Sequence, residues 1–135
     1  MDDVMHRWIS YLGRLGLSLA LLLLLALPAQ AGSVDWRELP ATEEGKQWWD
    51  AGSLRRTRDG NLSVLSRYLP PPEEEGRPRL GDLYVMELDC GQKLYRDTAV
   101  NGVPRFKADW QPAGGDQLLD AMIDAVCAAG SDLPA

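Results

Sequence analysis

Cys90 and Cys127 are the side chains with the widest chemical range in this chain, because a thiol can serve redox catalysis, metal binding or a disulfide. They lie far apart in the sequence, so the chain has no Cys-x-x-Cys redox motif. The single histidine is His6, and residues 32–135 contain none, which argues there against Ser-His, Cys-His and histidine-based metal chemistry. Two roles remain for the cysteines: a structural disulfide or two free buried thiols.

Carboxylates are the other groups that could do chemistry, since a pair of them can hydrolyse a glycosidic bond. Glu87 and Asp89 point to the same side of a predicted strand, and we expect that side to be solvated, with Glu87 opposite Arg96 across a hairpin. The acidic run at 73–75 lacks the ligand spacing of a calcium loop, and the glycines at 113–116 lack the lysine of a phosphate loop. We therefore expect no enzyme activity, cofactor or metal.

The N-terminal segment indicates export. It carries Arg7 and Arg14, then the apolar run at 15–27, then the small residues of Ala29-Gln30-Ala31. This order is typical of a secretory signal peptide, and the run is shorter than the roughly 20 residues that span a bilayer. We predict a cleavable signal peptide over 1–31 and one domain over 32–135. The alternative is a retained N-terminal membrane anchor.

Charge and size limit what that domain can do. The chain has 14 Lys+Arg against 20 Asp+Glu, a net charge of −6, and this acidic surplus argues against a nucleic-acid partner. We expect an exported protein, either periplasmic or secreted. The residue directly after the predicted cleavage site is Gly32 and not a cysteine, so a lipid anchor is not expected. The membrane would then be contacted only through an uncleaved signal segment.

Most of the domain alternates apolar and polar residues with the period of a strand. The pattern predicts strands at 33–39 and 46–53, then a hairpin whose tight turn is Asp59-Gly60. The proline-rich and charged segment at 70–79 predicts an exposed loop. A second hairpin turns at Gly91-Gln92, and a last strand at 103–110 is expected to return along the sheet.

The C-terminal segment changes its period to that of a helix. Asp116 is expected to cap the N-terminus and Gly130 to end the helix. An apolar stripe is predicted along one side, made of Leu119, Ile123, Val126 and Cys127.

The two cysteines end two apolar stripes, and this suggests their role. On the strand, Cys90 shares a face with three apolar residues: Tyr84, Met86 and Leu88. If the helix lies on that face, Cys127 arrives near Cys90, and in an exported protein a disulfide is the expected outcome. The predicted fold is α+β: an antiparallel β-sheet with a C-terminal amphipathic helix packed on one face, tied by a Cys90–Cys127 disulfide.

Tryptophan and arginine supply the candidate contact surface. Trp48 and Trp49 are adjacent in a predicted strand, so they point to opposite faces, and one of them is expected in water. Arg55, Arg56 and Arg58 follow in the next hairpin. Exposed tryptophan beside arginine is typical of protein interfaces. The alternative is that both tryptophans belong to the core.

The landmarks together resemble the surface-adhesin protein E family of small exported bacterial domains. They are an early Trp36, the stretches "WWDAGS", "RYLPPP", "ELDCGQKLYR" and "DWQPAGG", and a helix that ends in "VC". The resemblance covers nearly all of residues 34–128. It implies an α+β domain with a C-terminal helix tied by a disulfide, and adhesion to extracellular macromolecules, with dimers in some members.

The function expected from the sequence is that of an exported, non-enzymatic envelope or secreted domain that acts by protein binding, as an adhesin does. The expected partner is a protein or an extracellular macromolecule, and a homodimer is the alternative. Two other functions stay open: an accessory structural module of the envelope without a ligand, and a carboxylate-based hydrolase.

Overall fold

The N-terminal segment forms a helix in a computed structural model of the chain, which describes residues 2–25 and 32–134. Helix α1 spans Asp2–Leu25, and a second compact unit begins at Gly32. The predicted cleavage site at 29–31 lies outside the described residues, so cleavage stays a prediction. Within the described segments, no helix combines the length and hydropathy that a membrane span requires.

The second unit is built on an eight-stranded antiparallel sheet, as the α+β prediction requires. A 3₁₀ turn at Ala51–Ser53 follows the second strand. Six strands form the path β1-β2-β4-β5-β6-β7, while β3 pairs with β4 and β8 pairs with β6. The strands are β1 (Trp36–Glu38), β2 (Lys46–Asp50), β3 (Arg55–Arg56), β4 (Leu62–Leu69), β5 (Asp82–Asp89), β6 (Leu94–Val100), β7 (Val103–Pro104) and β8 (Gln111–Pro112).

The hairpin turns lie where the sequence predicts them. Gly60 has a φ of 85°, a value that costs little without a Cβ, and it donates its N–H to the carbonyl of Thr57 at 3.1 Å. Lys93 adopts a φ of 55° in the turn between β5 and β6. Residues 70–81 form the predicted loop between β4 and β5. These turns set the antiparallel register of the central strands.

The last predicted strand is interrupted. Within 103–112, only the short strands β7 and β8 pair with β6, and residues 105–110 between them lie outside any strand. Pro104 has no N–H to donate, which favours an end to the pairing there. Phe106 is almost wholly exposed in the resulting loop, between Arg105 and Lys107. The prediction of a continuous return strand at 103–110 is therefore wrong.

Helix α2 spans Gln117–Gly130 and begins as predicted. One carboxylate oxygen of Asp116 accepts hydrogen bonds from the N–H groups of Leu118 and Leu119, at 2.9 and 3.0 Å. The buried side of the helix is rotated relative to the predicted stripe, since Leu119 is only half-buried. The residues of α2 buried against the sheet are Leu118, Met122, Ile123, Val126 and Gly130.

The sheet and the helix share one apolar core. Strand residues Trp49, Leu62, Val64, Met86 and Leu88 pack with the buried side of α2. The Cys90–Cys127 disulfide joins the end of β5 to α2, with 5.7 Å between the two Cα atoms, and confirms the predicted pairing. The helix therefore covers one face of the sheet, and the disulfide ties its C-terminal half to the hairpin of β5 and β6.

Candidate functional site

The face of the sheet opposite α2 is only partly covered, and we call it the open face. Strand alternation places there the residues that are out of phase with the core positions. Trp36 of β1 and Leu83 of β5 each keep 39% of their surface exposed. Leu65 and Val85 are half-buried beside them in paired positions of β4 and β5. The open face thus combines apolar side chains with solvent access.

The structure separates Trp48 and Trp49. Trp49 lies on the helix side and is buried in the core, with 4% of its surface exposed. Trp48 is half-buried on the open face, directly opposite Arg67 of β4. The Arg67 guanidinium carbon lies 5.5 Å from the centre of the Trp48 ring, which is cation–π distance. Arg67 is exposed, so this stacked pair reaches solvent.

The three arginines of the predicted contact surface lie in different surroundings. Arg55 and Arg58 are both exposed, and Arg55 pairs with Ser63 of β4. Arg56 instead donates hydrogen bonds to the carbonyl oxygens of Gly130 and Leu133, at 3.1 and 3.3 Å. Arg56 therefore binds the C-terminal end of α2. The cation that stacks on Trp48 is Arg67, which no local sequence pattern singled out.

A buried ion pair lies further along the open face. Glu87 is opposite Arg96, as predicted, and its Oε2 accepts hydrogen bonds from Nη2 and Nε of Arg96 at 2.7 and 3.0 Å. Asn61 donates to Oε1 of Glu87 at 3.0 Å, and the Arg96 guanidinium carbon lies 4.4 Å from the centre of the Trp110 ring. Glu87 keeps only 6% of its surface exposed, so the prediction that it is solvated is wrong. Arg96 and Asn61 bind both of its carboxylate oxygens, and these hydrogen bonds offset the cost of removing the carboxylate from water.

The helix side of the sheet carries a second candidate site, which we call the tyrosine cleft. It is an open cleft of about 230 Å³ beside the N-terminal end of α2. Three aromatic rings and two carboxylates share its lining with apolar core residues. The lining residues are Gln47, Tyr68, Tyr84, Met86, Tyr95, Asp97, Asp116, Leu118 and Leu119.

Hydrogen bonds hold two of the tyrosines. Tyr68 donates its hydroxyl proton to the carbonyl oxygen of Glu44 at 2.6 Å, and Tyr84 lies 3.4 Å from a carboxylate oxygen of Asp82. Burial raises the pKa of both phenols above the usual value, as it does for Tyr95. The three rings therefore stay neutral at physiological pH.

Asp97 is the carboxylate of the cleft without a hydrogen-bond partner among the described residues. Removal from water raises its pKa above 3.8, and the nearby Arg105 guanidinium opposes this shift only in part. Arg105 forms no ion pair with it within 4.0 Å. Asp116, by contrast, uses one carboxylate oxygen to cap α2. The cleft thus offers one uncommitted carboxylate rather than the matched pair that a glycosidase uses.

The sequence held a partial signal for the tyrosine cleft. Tyr84 is predicted on the helix face, and Tyr95 and Asp97 share one face of the next strand by the same two-residue period. Their meeting depends on the register of β5 and β6, in which Leu88 pairs with Tyr95 and Met86 with Asp97. The contribution of Tyr68 depends on the β4–β5 register as well. Among the residues described, no cluster of three or more His, Cys, Asp or Glu could hold a metal ion.

One comparison with known proteins gives a match. A family model described as the surface adhesin-E family matches residues 37–133, which include the whole sheet after Trp36 and helix α2. No curated protein and no solved structure matches the chain.

Proposed function

The chain belongs to the surface adhesin-E family, and from this premise we propose that it is an exported, non-enzymatic domain that binds a protein or another extracellular macromolecule through its open face. The disulfide and the family are typical of exported or surface proteins. The observation that carries the proposal is the stack of Arg67 on Trp48, on the sheet face that α2 does not cover and that also carries partly exposed Trp36.

Physical chemistry supports this use of the open face. A partly exposed indole gives a partner a large apolar surface, and it loses little conformational entropy on binding because it has only two side-chain torsions. Arginine stacked on it adds a charge and hydrogen-bond donors at the same place. Residues of these two types carry most of the binding energy in many protein interfaces.

The test compares two tryptophan variants in a binding assay on a solubilised extracellular-matrix protein preparation, immobilised on a biosensor. Trp48→Ala should keep the fold and weaken binding at least tenfold, which corresponds to about 1.4 kcal/mol or more. Trp49→Ala should instead lower the free energy of unfolding by about 3–5 kcal/mol, because it empties a core position. Arg77→Ala, in the exposed loop after β4, is the matched surface control and should change neither property.

Sedimentation of the same variants distinguishes a foreign partner from a second copy of the chain. If the wild type dimerises and Trp48→Ala makes it monomeric, the open face is a homodimer interface. If Trp48→Ala leaves fold, matrix binding and oligomeric state unchanged, the open face is not a contact surface. An accessory structural role without a ligand would then be favoured.

A further inference from the structure

The tyrosine cleft lies on the opposite side of the sheet from the open face, so a ligand site in the cleft does not depend on the proposed function. Its lining includes polar groups that the fold leaves without partners. Gln47 is nearly buried, with 4% of its surface exposed, and its side-chain amide donates to Oγ of Ser66 at 2.9 Å and to the sulfur of Met86 at 3.8 Å. The side-chain carbonyl oxygen of Gln47 accepts no hydrogen bond within the described residues.

That oxygen opens into the cleft. No fully buried side-chain nitrogen or oxygen in the described part of the chain lacks a hydrogen-bond partner, so the unpartnered oxygen of Gln47 must be reached from a solvent space. The cleft is the space that Gln47 lines. Because no described residue donates to this oxygen, it is free to accept a hydrogen bond from a ligand that enters the cleft.

The other polar groups at the cleft are also hydrogen-bond acceptors. Asp97 presents a carboxylate without a hydrogen-bond partner, and Asp116 presents the oxygen that it does not use to cap α2. The hydroxyl of Tyr95 makes no hydrogen bond to any described residue and can accept one. Within the part of the chain that the structure describes, no lysine or arginine lines the cleft. The complement of such a lining is a group that carries positive charge and several N–H donors.

Aromatic walls add to the selectivity for a cation. Tyr68, Tyr84 and Tyr95 line one cleft, and a cation gains free energy from the negative face of an aromatic ring. The hydroxyl contacts of Tyr68 and Tyr84 hold these rings before any ligand arrives, which lowers the entropy cost of binding. The apolar side chains that share the lining leave room for an aliphatic chain behind the charged end; they are Met86, Leu118 and Leu119.

We propose that the tyrosine cleft binds a primary ammonium or guanidinium group at the end of an aliphatic chain, with Asp97 as its counter-ion and the Gln47 carbonyl oxygen as a hydrogen-bond acceptor. A lysine or arginine side chain of a partner protein and a free alkyl amine share this chemistry. A quaternary ammonium group has no N–H donor for Gln47, so it is a poorer ligand.

The test is a chemical-shift titration of the oxidised domain with three capped pentapeptides that differ only at the central residue: lysine, arginine or norleucine in a glycine background. Saturable shifts at Gln47, Tyr84, Tyr95 and Asp97 are expected for lysine or arginine, and none for norleucine, which has the chain without the charge. Butylammonium and tetramethylammonium chlorides form the second arm. Binding of butylammonium as well as the peptides identifies a general amine site, whereas binding of the peptides alone identifies a site for a protein side chain.

Asp97→Asn is the decisive variant because it removes the charge at nearly constant shape. It should weaken binding of the lysine peptide at least tenfold. Asp124→Asn is the matched control, since Asp124 is an exposed carboxylate of α2 that pairs with Lys93 at 2.8 Å, and it should leave binding unchanged. Equal shifts with norleucine, equal affinities in the two variants or no saturation with either cationic peptide would overturn the proposal. Because Trp48→Ala does not touch this cleft, failure here and failure of the open-face function are separate results.

Discussion

At the scale of single residues, burial explains why the prediction of a solvated Glu87 was wrong. Alternation correctly placed Glu87 on the face opposite the helix and opposite Arg96. It also predicted a solvated side chain there, whereas Glu87 is buried and accepts hydrogen bonds from Arg96 and Asn61. Alternation reports the direction of a side chain but not what covers it. The cover comes from residues of other strands and loops, which a local pattern does not contain.

Removal of Arg96 should test how much the buried pair contributes. Arg96→Ala leaves the Glu87 carboxylate buried with Asn61 as its remaining partner, so we expect the free energy of unfolding to fall by about 3 kcal/mol. Urea denaturation followed by tryptophan fluorescence measures this. Arg77→Ala removes an arginine from an exposed ion pair with Glu75 and should cost less than about 1 kcal/mol. Similar losses in both variants would mean that the Glu87–Arg96 pair behaves as an exposed one.

Asp97 should make the protein less stable as the pH rises. Its pKa is raised in the folded state by removal from water, so the folded state binds a proton more tightly than the unfolded chain does. The contribution of the protonated group to stability is therefore full below about pH 3.8, the ordinary pKa, and it is lost as the pH rises through the folded pKa. Asp97→Asn should raise the melting temperature at pH 7 but not at pH 3. Asp116 and Arg105, which also act on this region, are unchanged in that comparison. An increase in melting temperature of the same size at both pH values would contradict a raised pKa of Asp97 as the cause.

At the scale of elements, the glycine at the end of α2 has a role beyond the predicted one. The helix ends at Gly130, as predicted, and the cap that follows is Ser131 in a right-handed conformation. A Cβ at Gly130 would overlap the side chain of Leu62 on β4. The glycine therefore permits a close approach of helix and sheet, next to the Arg56 hydrogen bonds.

Gly130→Ala should be destabilising even though alanine favours a helix. The methyl group has to displace Leu62 in a packed core, which we expect to cost about 1–3 kcal/mol. Thermal unfolding of the oxidised protein measures this. Ala129→Gly is a useful comparison because that neighbouring residue is exposed. Its substitution should lower the free energy of unfolding only through helix propensity, by about 1 kcal/mol or less. A stabilised Gly130→Ala variant would show that the helix can move away from β4 at no cost.

The other helix-scale difference has a simple geometric cause. Leu118, Leu119, Met122 and Ile123 are all apolar, and two stripes rotated by one residue fit the same sequence. In the structure, the buried stripe is the one that contains Leu118 and Met122. Leu119 instead lines the tyrosine cleft. Helical period predicts an amphipathic helix, but the rotation of the helix on the sheet depends on the shapes of both surfaces.

At the scale of the whole molecule, export determines which partners the domain can bind. The family, the disulfide and the N-terminal apolar segment all favour a protein that acts outside the cytoplasm. Two candidate surfaces lie on opposite faces of one sheet. A partner on the open face therefore leaves the tyrosine cleft accessible. Substitutions in the two surfaces should have additive effects on the free energy of binding.

Cleavage after Ala31 is the whole-molecule prediction. The small residues at 29 and 31 fit the site of a signal peptidase, so the mature protein should begin at Gly32 and be found outside the cytoplasm. N-terminal sequencing of the protein after expression with its native leader measures this. Ala31→Leu is expected to block processing, while Ser33→Ala, beyond the site, should not. A protein that keeps residues 1–31 and fractionates with membranes would favour the anchored alternative.

The sequence by itself predicted the α+β fold, the order of most of the elements and the Cys90–Cys127 pairing. Strand period, helix period and turn residues are local properties, and each cysteine ends an apolar stripe that must be buried. The sites required the tertiary structure. Tyr68, Tyr84, Tyr95 and Asp97 form a cleft only through the registers of β4, β5 and β6, and Arg67 meets Trp48 only because β2 pairs with β4. Register and cover depend on contacts between residues distant in the chain, and local patterns carry little information about such contacts.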